Sequence, residues 1–352
     1  MPGPRSRQSV RLFLGFAAAV VVLGVTLSLV GWQRVVADIA RADLRVFSLG
    51  LAAVLVALFC WSETIRQLLR GAGHDVGGLR YRMAFLAGEF AKQAIPLGHS
   101  AGPAFTAYTV STGTDGTYEE TFAATIIGEF VNIGASILLA TAGMSLLLVR
   151  QPDNPIVRTV AVGLLLATGM LVVVSVLVAT RRRTFRLAVQ RLAAVGRLTV
   201  GRLSDRVRAV CSPPAVDNGV DTFYRAFDRV ATDHRRLAAA GAFAMLGWVS
   251  FATPLVTAFA ALDISISVAL ALFAVPVVSL VNVVPTPGGV GGFEIALAAV
   301  VAGLTGIDLG TATAGVLLYR ASNYLFLLVV CGLAAAWLST GPTEVAAESG
   351  NP

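Results

Sequence analysis

Six stretches of the chain, residues 12–33, 130–149, 159–180, 237–262, 264–293 and 321–343, contain no Asp, Glu, Lys or Arg. A membrane-spanning helix needs about 20 predominantly apolar residues. The runs therefore predict membrane helices over 12–32, 121–149, 156–180, 237–262 and 310–338, with a further apolar segment over 264–304, and the span count adds a helix over 46–65. Between residues 181 and 236 the pattern changes. Phe185, Val189, Leu192, Val195, Leu203, Val207 and Val210 recur near helical spacing, with Arg186, Arg191, Arg197, Arg202 and Arg208 between them. That pattern predicts an amphipathic helix in the membrane interface. Pro213 and Pro214 interrupt it, and a second stripe (Val220, Phe223, Tyr224, Phe227, Val230, Ala231) leads into the next span.

Composition agrees with this pattern. The 352 residues are 56% apolar and 13% charged, with a mean hydropathy of +0.77, against about 25% charged residues in a soluble domain. Disordered and fibrous chains are excluded by the same figures. The expected fold is all-α: a polytopic helical membrane bundle in a single integral membrane domain. Its first half covers 12–180 and its second half 237–338, with the basic segment 181–236 between them and a flexible tail over 339–352. Arg5, Arg7 and Arg11 precede the first apolar run, which lacks a small-x-small cleavage site, so the run reads as a retained helix. Cys60, Cys211 and Cys331 show no short spacing, and His74, His99 and His234 are scattered. Neither a disulfide framework, a metal site nor a cofactor is indicated.

Charge supplies the orientation. Residues 181–236 hold 13 Arg and 5 Asp, a balance of +8, while the whole chain carries +7. The positive-inside rule puts this segment and the Arg-bearing N-terminus on the cytoplasmic side of the cell membrane. The arginines flank membrane helices, so they read as topology and headgroup contacts rather than nucleic-acid contacts. Counting spans from that side requires residues 83–112 to enter and leave from the cytoplasm and 264–304 to dip in from outside. Two oppositely oriented re-entrant broken hairpins follow.

The two hairpins resemble each other. One runs from Gln93 through Pro96, Gly98, His99, Ser100 and Gly102 to Pro103, and the other from Asn282 through Pro285, Pro287, Gly288, Gly289, Gly291 and Gly292. Each places a carboxamide three residues before a Pro and then a Gly-rich break. Glu129 and Asn132 follow Pro96 by 33 and 36 residues, and Arg320 and Asn323 follow Pro285 by 35 and 38. Pro- and Gly-broken segments at corresponding positions of two inverted halves point to a transporter's substrate site, because unpaired backbone at membrane depth needs protein or a wet cavity around it. Glu89 and Lys92, the only lysine, precede the first break, and Glu294 ends the second. A charge at the bilayer centre costs at least ~2.5–3.5 kcal/mol, so such groups face a cavity and pair. For Glu89–Lys92 an interfacial pair at the cytoplasmic mouth stays open, as does snorkelling of Glu129 or Arg320. Neutral isosteres at Lys92 and Glu129 are expected to spare the fold.

The stretch 88–108, Glu129, the run Pro285–Glu294 and the helix around Arg320 together resemble the transmembrane domain of the lysylphosphatidylglycerol synthase/flippase family. The resemblance spans about 12–338, and its best motif is Pro-x-Pro-Gly-Gly-x-Gly-Gly-x-Glu. It implies a helical bundle with two re-entrant segments, in a family whose stand-alone members are flippase-like and in part associated with polyprenyl-phosphate sugars. Phe105, Thr106 and Phe130 stand where the family often carries arginine. A soluble aminoacyl-transferase domain follows the membrane part in bifunctional relatives; only 14 residues follow the last predicted helix here, so that activity is not expected.

The function these readings favour is translocation of a phospholipid or a polyprenyl-phosphate-linked headgroup. Backbone amides at 98–102 and 288–292 would meet phosphate, Lys92 and Arg320 would balance its charge, and Glu89, Glu129, Gln93 and Asn282 would line the route. Membrane lipids are the expected partners. The alternatives are a non-catalytic scaffold or partner subunit of a lipid- or glycan-modifying transferase, and a membrane-embedded transferase. Gly98–Gly102 also fits G-x-S-x-G, but that elbow needs a strand-to-helix turn with an acid and a histidine downstream, and this chain predicts no strands.

Overall fold

The computed structural model describes residues 37, 40–95, 98–112, 118–150, 155–199, 212–279 and 287–340. The helix expected over 12–32, Pro96, Asn282, Pro285 and the tail beyond 340 lie outside the described residues. The described chain forms eleven helices and no strand. They are α1 (Leu44–Gly71), α2 (Gly78–Ala94), α3 (Gly98–Thr112), α4 (Tyr118–Arg150), α5 (Pro155–Thr180), α6 (Arg182–Thr199), α7 (Pro213–Thr232), α8 (His234–Ala260), α9 (Val268–Ser279) and α10 (Gly292–Thr305). The last, α11, runs over Leu309–Arg320 and continues through a π segment, Ala321–Leu325, into Phe326–Thr340.

Four of these helices are long and apolar enough to cross a membrane: α1, α4 over Glu120–Arg150, α8, and α11 over Leu309–Ser339. They coincide with the spans expected over 46–65, 121–149, 237–262 and 310–338. In α5 the described apolar stretch is shorter, Val157–Met170, and α9 and α10 are short apolar helices. Polar residues set several helix starts. Asp43 accepts from the Arg45 amide at 2.8 Å, Asp233 from Arg236 at 3.0 Å and Asp308 from Thr311 at 3.1 Å. Each satisfies an amide that the helix itself cannot.

The main core is built from α1, α4, α5, α8, α9, α10 and α11 around Leu255, Phe259, Phe273, Leu297 and Tyr319. A second cluster joins the C-terminal half of α1 to α2, α4 and α7 through Leu68, Tyr81, Phe85, Ala124 and Phe223. Outside the cores, Leu138, Leu146 and Val149 of α4 and Val162, Leu165, Leu166 and Met170 of α5 are exposed. In a membrane protein such apolar surface meets lipid. Helices α2 and α3, three residues apart, pack on each other, and α2 also packs against the second half of α11.

The described part of the basic segment forms two helices, α6 and α7, while Leu203, Val207 and Val210 of the expected first stripe lie outside the described residues. Arg182 pairs with Asp228 at 2.6 Å, Arg186 pairs with Asp221, and Gln190 donates to Asp217 at 2.8 Å. These contacts zip α6 to α7, while Val220, Phe223 and Tyr224 bury against the second core. Leu187, Leu192 and Val195 of α6 stay exposed.

Without hydrophobic drive between helices in lipid, small residues that let backbones approach govern their packing. Gly143 of α4 is such a site. A Cβ there would stand 2.7 Å from both the Ala269 carbonyl oxygen and the Phe273 nitrogen of α9, and backbone cannot swing aside. Gly143→Val is expected to cost about 1–3 kcal/mol through overpacking, read as a lowered thermal unfolding midpoint in detergent. Gly134→Ala on the same helix, where nothing lies within 4 Å, should leave the midpoint unchanged or raise it.

Candidate functional site

A cavity of about 210 Å3 lies among α1, α2, α3, α4, α8, α9, α10 and α11. Water needs roughly 10–15 Å3 by the same measure and several polar partners, so this space is large and polar enough to be wet. Two ionic clusters flank it.

The first is carried by α2 and α4. Glu89, Lys92 and Gln93 sit at i, i+3 and i+4, so one face of α2 presents all three to the cavity. Lys92 Nζ lies 2.9 Å from Glu89 Oε1 and 2.9 Å from Glu129 Oε1. Glu129 belongs to α4, 37 positions further along the chain. One ammonium is thus shared by two carboxylates. The carboxylates differ in access: the Glu89 side chain is 7% exposed and that of Glu129 34%. Gly102 of α3 makes room for the lysine stem, since a Cβ at that position would meet Lys92 Cε at 2.7 Å. Glu89–Lys92 is thus not a self-contained pair but part of a cluster tying α2 to α4.

The second cluster is carried by the Gly-rich break, α10 and α11. Arg320 Nε donates to Glu294 Oε1 at 2.6 Å, and Nη2 donates to the Gly288 carbonyl at 2.8 Å. The guanidinium lies over the rings of Phe293 and Tyr324, 4.9 and 4.4 Å from their centroids. Both Glu294 and Arg320 are buried, so snorkelling of Arg320 does not occur. Glu294 Oε2 accepts the Gly291 amide at 2.6 Å, closing the N-terminus of α10. That amide is therefore committed within the protein. Gly288 has φ 59° and packs on Tyr324, where a Cβ would stand 2.0 Å from the ring. A side chain fits neither the backbone conformation nor the space, which explains the glycine there: it turns its carbonyl onto Arg320.

The other expected residues fall around these clusters. Asn132 and Asn323 line the cavity, and the Oδ1 of each is buried without a hydrogen-bond partner. The Asn132 carbonyl accepts from Trp248 Nε1 at 3.0 Å, joining α4 to α8. Gly289 and Gly291 are buried in the turn that Pro287 opens, and Gly292 starts α10. Gly98 and Ser100 belong to the first turn of α3. Ser100 is thus helical rather than on a strand-to-helix turn, and the hydrolase elbow is not formed.

Several cavity residues escaped sequence reasoning. Thr125 and Ser136 stand with Glu129 and Asn132 at i, i+4, i+7 and i+11 of α4. A polar stripe at helical spacing in an apolar helix could have revealed them. Trp61 and Trp248, with ring centroids 5.7 Å apart, and Phe251 make an aromatic wall with no such signal. Glu63 of α1 was also missed. It accepts from Arg82 Nη2 at 2.6 Å and from Arg66 Nη1 at 3.1 Å, and Arg66 Nε donates to the Val76 carbonyl at 2.9 Å. This network fixes α2 against α1 two turns before Glu89. No group of three or more His, Cys, Asp or Glu residues able to hold a metal occurs among the described residues.

The family model for the lysylphosphatidylglycerol synthase TM region matches residues 12–331. No curated protein matches the chain.

The shared ion pair changes the expectation for Lys92. Lys92→Met leaves Glu89 buried beside Glu129 with no counter-charge, and breaking a buried pair costs about 3–5 kcal/mol. The unfolding midpoint should fall, and Lys92→Met combined with Glu89→Gln should recover part of the loss. Glu129→Gln leaves a neutral Lys92–Glu89 pair and should shift the midpoint little. Thermal unfolding of the purified variants in one detergent checks all three.

Proposed function

We propose, from the premise that the chain belongs to the lysylphosphatidylglycerol synthase TM region family, that it moves lipid headgroups from one leaflet to the other. A headgroup enters the central cavity while its acyl chains stay in the bilayer. The observation that carries this reading is the cavity itself: an apolar helical membrane protein keeps Glu89, Lys92, Glu129 and Arg320 around one polar space. Charges at membrane depth are expensive, and they mark substrate and ion pathways. Both signs of charge are present. Lys92 and Arg320 suit a phosphate, as in a phospholipid or a polyprenyl-phosphate glycolipid, and Arg320 has N–H groups beyond the two given to Glu294 and Gly288.

In this reading α2–α3 and α9–α10 are oppositely oriented re-entrant hairpins, and α6–α7 lies on the cytoplasmic surface. The first turn of α3 then offers its free amides to phosphate, as helix N-termini do. The close packing of α2 on α3 across a three-residue connection supports the hairpin.

Two measurements test the proposal. In vesicles carrying reporter-labelled lipids, the wild type should exchange lipid between leaflets and Glu129→Gln should lose that exchange while keeping its fold. Exchange by Glu129→Gln at the wild-type rate would favour a scaffold for a lipid-modifying partner instead. For topology, Arg80→Cys and Tyr118→Cys on a cysteine-free background should both react with an impermeant reagent from the cytoplasmic side. Labelling from opposite sides would refute the hairpin.

A further inference from the structure

The charges around the cavity do not cancel. Glu89, Glu129, Lys92 and Arg320 line it, and Glu294 is the partner of Arg320, so three carboxylates meet two cations in the two clusters. Arg320 is committed to Glu294 and the Gly288 carbonyl. The uncompensated charge therefore falls on the first cluster, where Glu89 and Glu129 share Lys92. Glu129 is the carboxylate with access, and Glu89 is closed in. From the other elements around the cluster, α11 adds the buried Cys331 thiol, while Thr106 of α3 and Ser279 of α9 add hydroxyls.

A second observation points the same way. Asn323 is 4% exposed, lines the same cavity and holds its Oδ1 buried without a partner. Asn132, one turn from Glu129, does the same with its Oδ1. A buried acceptor left unmatched costs free energy unless a water or an ion satisfies it. A surplus carboxylate in a cavity that is also lined by unmatched neutral oxygens suits a small hard cation, and broken membrane helices commonly hold H+ or Na+ in such sites.

We propose that the Glu89–Lys92–Glu129 cluster binds one exchangeable monovalent cation, a proton or Na+, on the accessible side of Glu129. The cation completes the neutrality of the cluster, and its binding requires no lipid movement. Trp61 and Trp248 line the cavity and report on its occupancy.

The test follows tryptophan emission of the purified full-length protein in nanodiscs. One series varies Na+ against choline at constant ionic strength and pH. The other varies pH from mildly acidic to mildly alkaline without Na+. A saturable change with Na+ identifies the ion as Na+; a single pH transition that Na+ does not displace identifies a proton. Glu129→Gln should abolish the change, and Glu129→Asp should keep it with a shifted midpoint. A wild type silent in both series overturns the proposal, and so does a response that survives Glu129→Gln. Because no lipid transport is measured, failure here leaves the lipid-exchange reading standing, and the converse holds.

Discussion

A charge inside a helical membrane bundle is expensive, so it pairs or faces a polar cavity. Lys92 and Arg320 obey that constraint in different ways. Lys92 bridges two helices by serving two carboxylates at 2.9 Å each. Arg320 is held by one carboxylate, one backbone carbonyl and two aromatic faces. The mean price of a buried charge is offset only in such arrangements, and the positions of α2, α4, α10 and α11 around the cavity are what allow them. The Glu63–Arg82–Arg66 network plays a matching part outside the cavity by holding α2 on α1.

The two clusters divide the work of the site. The one around Arg320 has its carboxylate, its helix cap and its glycine turn locked together, so that Glu294 serves Arg320 and the α10 N-terminus at once. The one around Lys92 is looser, with one carboxylate closed in and one open to the cavity. Asn132 and Asn323 line the same cavity, each with its Oδ1 unmatched.

Much of the site was legible before any coordinates. Glu89, Lys92, Gln93, Glu129, Asn132, Arg320 and Asn323 were singled out because polar residues are rare in such apolar segments, and all of them line the one cavity. The Gly-rich run suggests a cradle of free amides for phosphate, yet its Gly291 amide belongs to Glu294 and its Gly288 carbonyl faces Arg320. Motif and spacing suggest that a backbone turn is present; they do not say which of its groups face inward. Trp61, Trp248 and Phe251 carried no signal at all, since an aromatic residue in an apolar helix reads the same whether it meets lipid, core or cavity.

What the sequence determined by itself was everything governed by local pattern. Spans follow from some 20 residues of predominant apolarity, and α6 and α7 from stripes of period 3.6. Tertiary structure alone decided who pairs with whom. Lys92 meets Glu129 across 37 positions and Arg320 meets Glu294 across 26, and these contacts depend on how closely helix backbones approach. That approach is set by small residues at a few crossings, such as Gly143 against α9 and Gly102 against the Lys92 stem. Hydropathy is additive along the chain and can be read residue by residue. Packing is a joint property of surfaces far apart in sequence, and the ion pairs inherit that dependence.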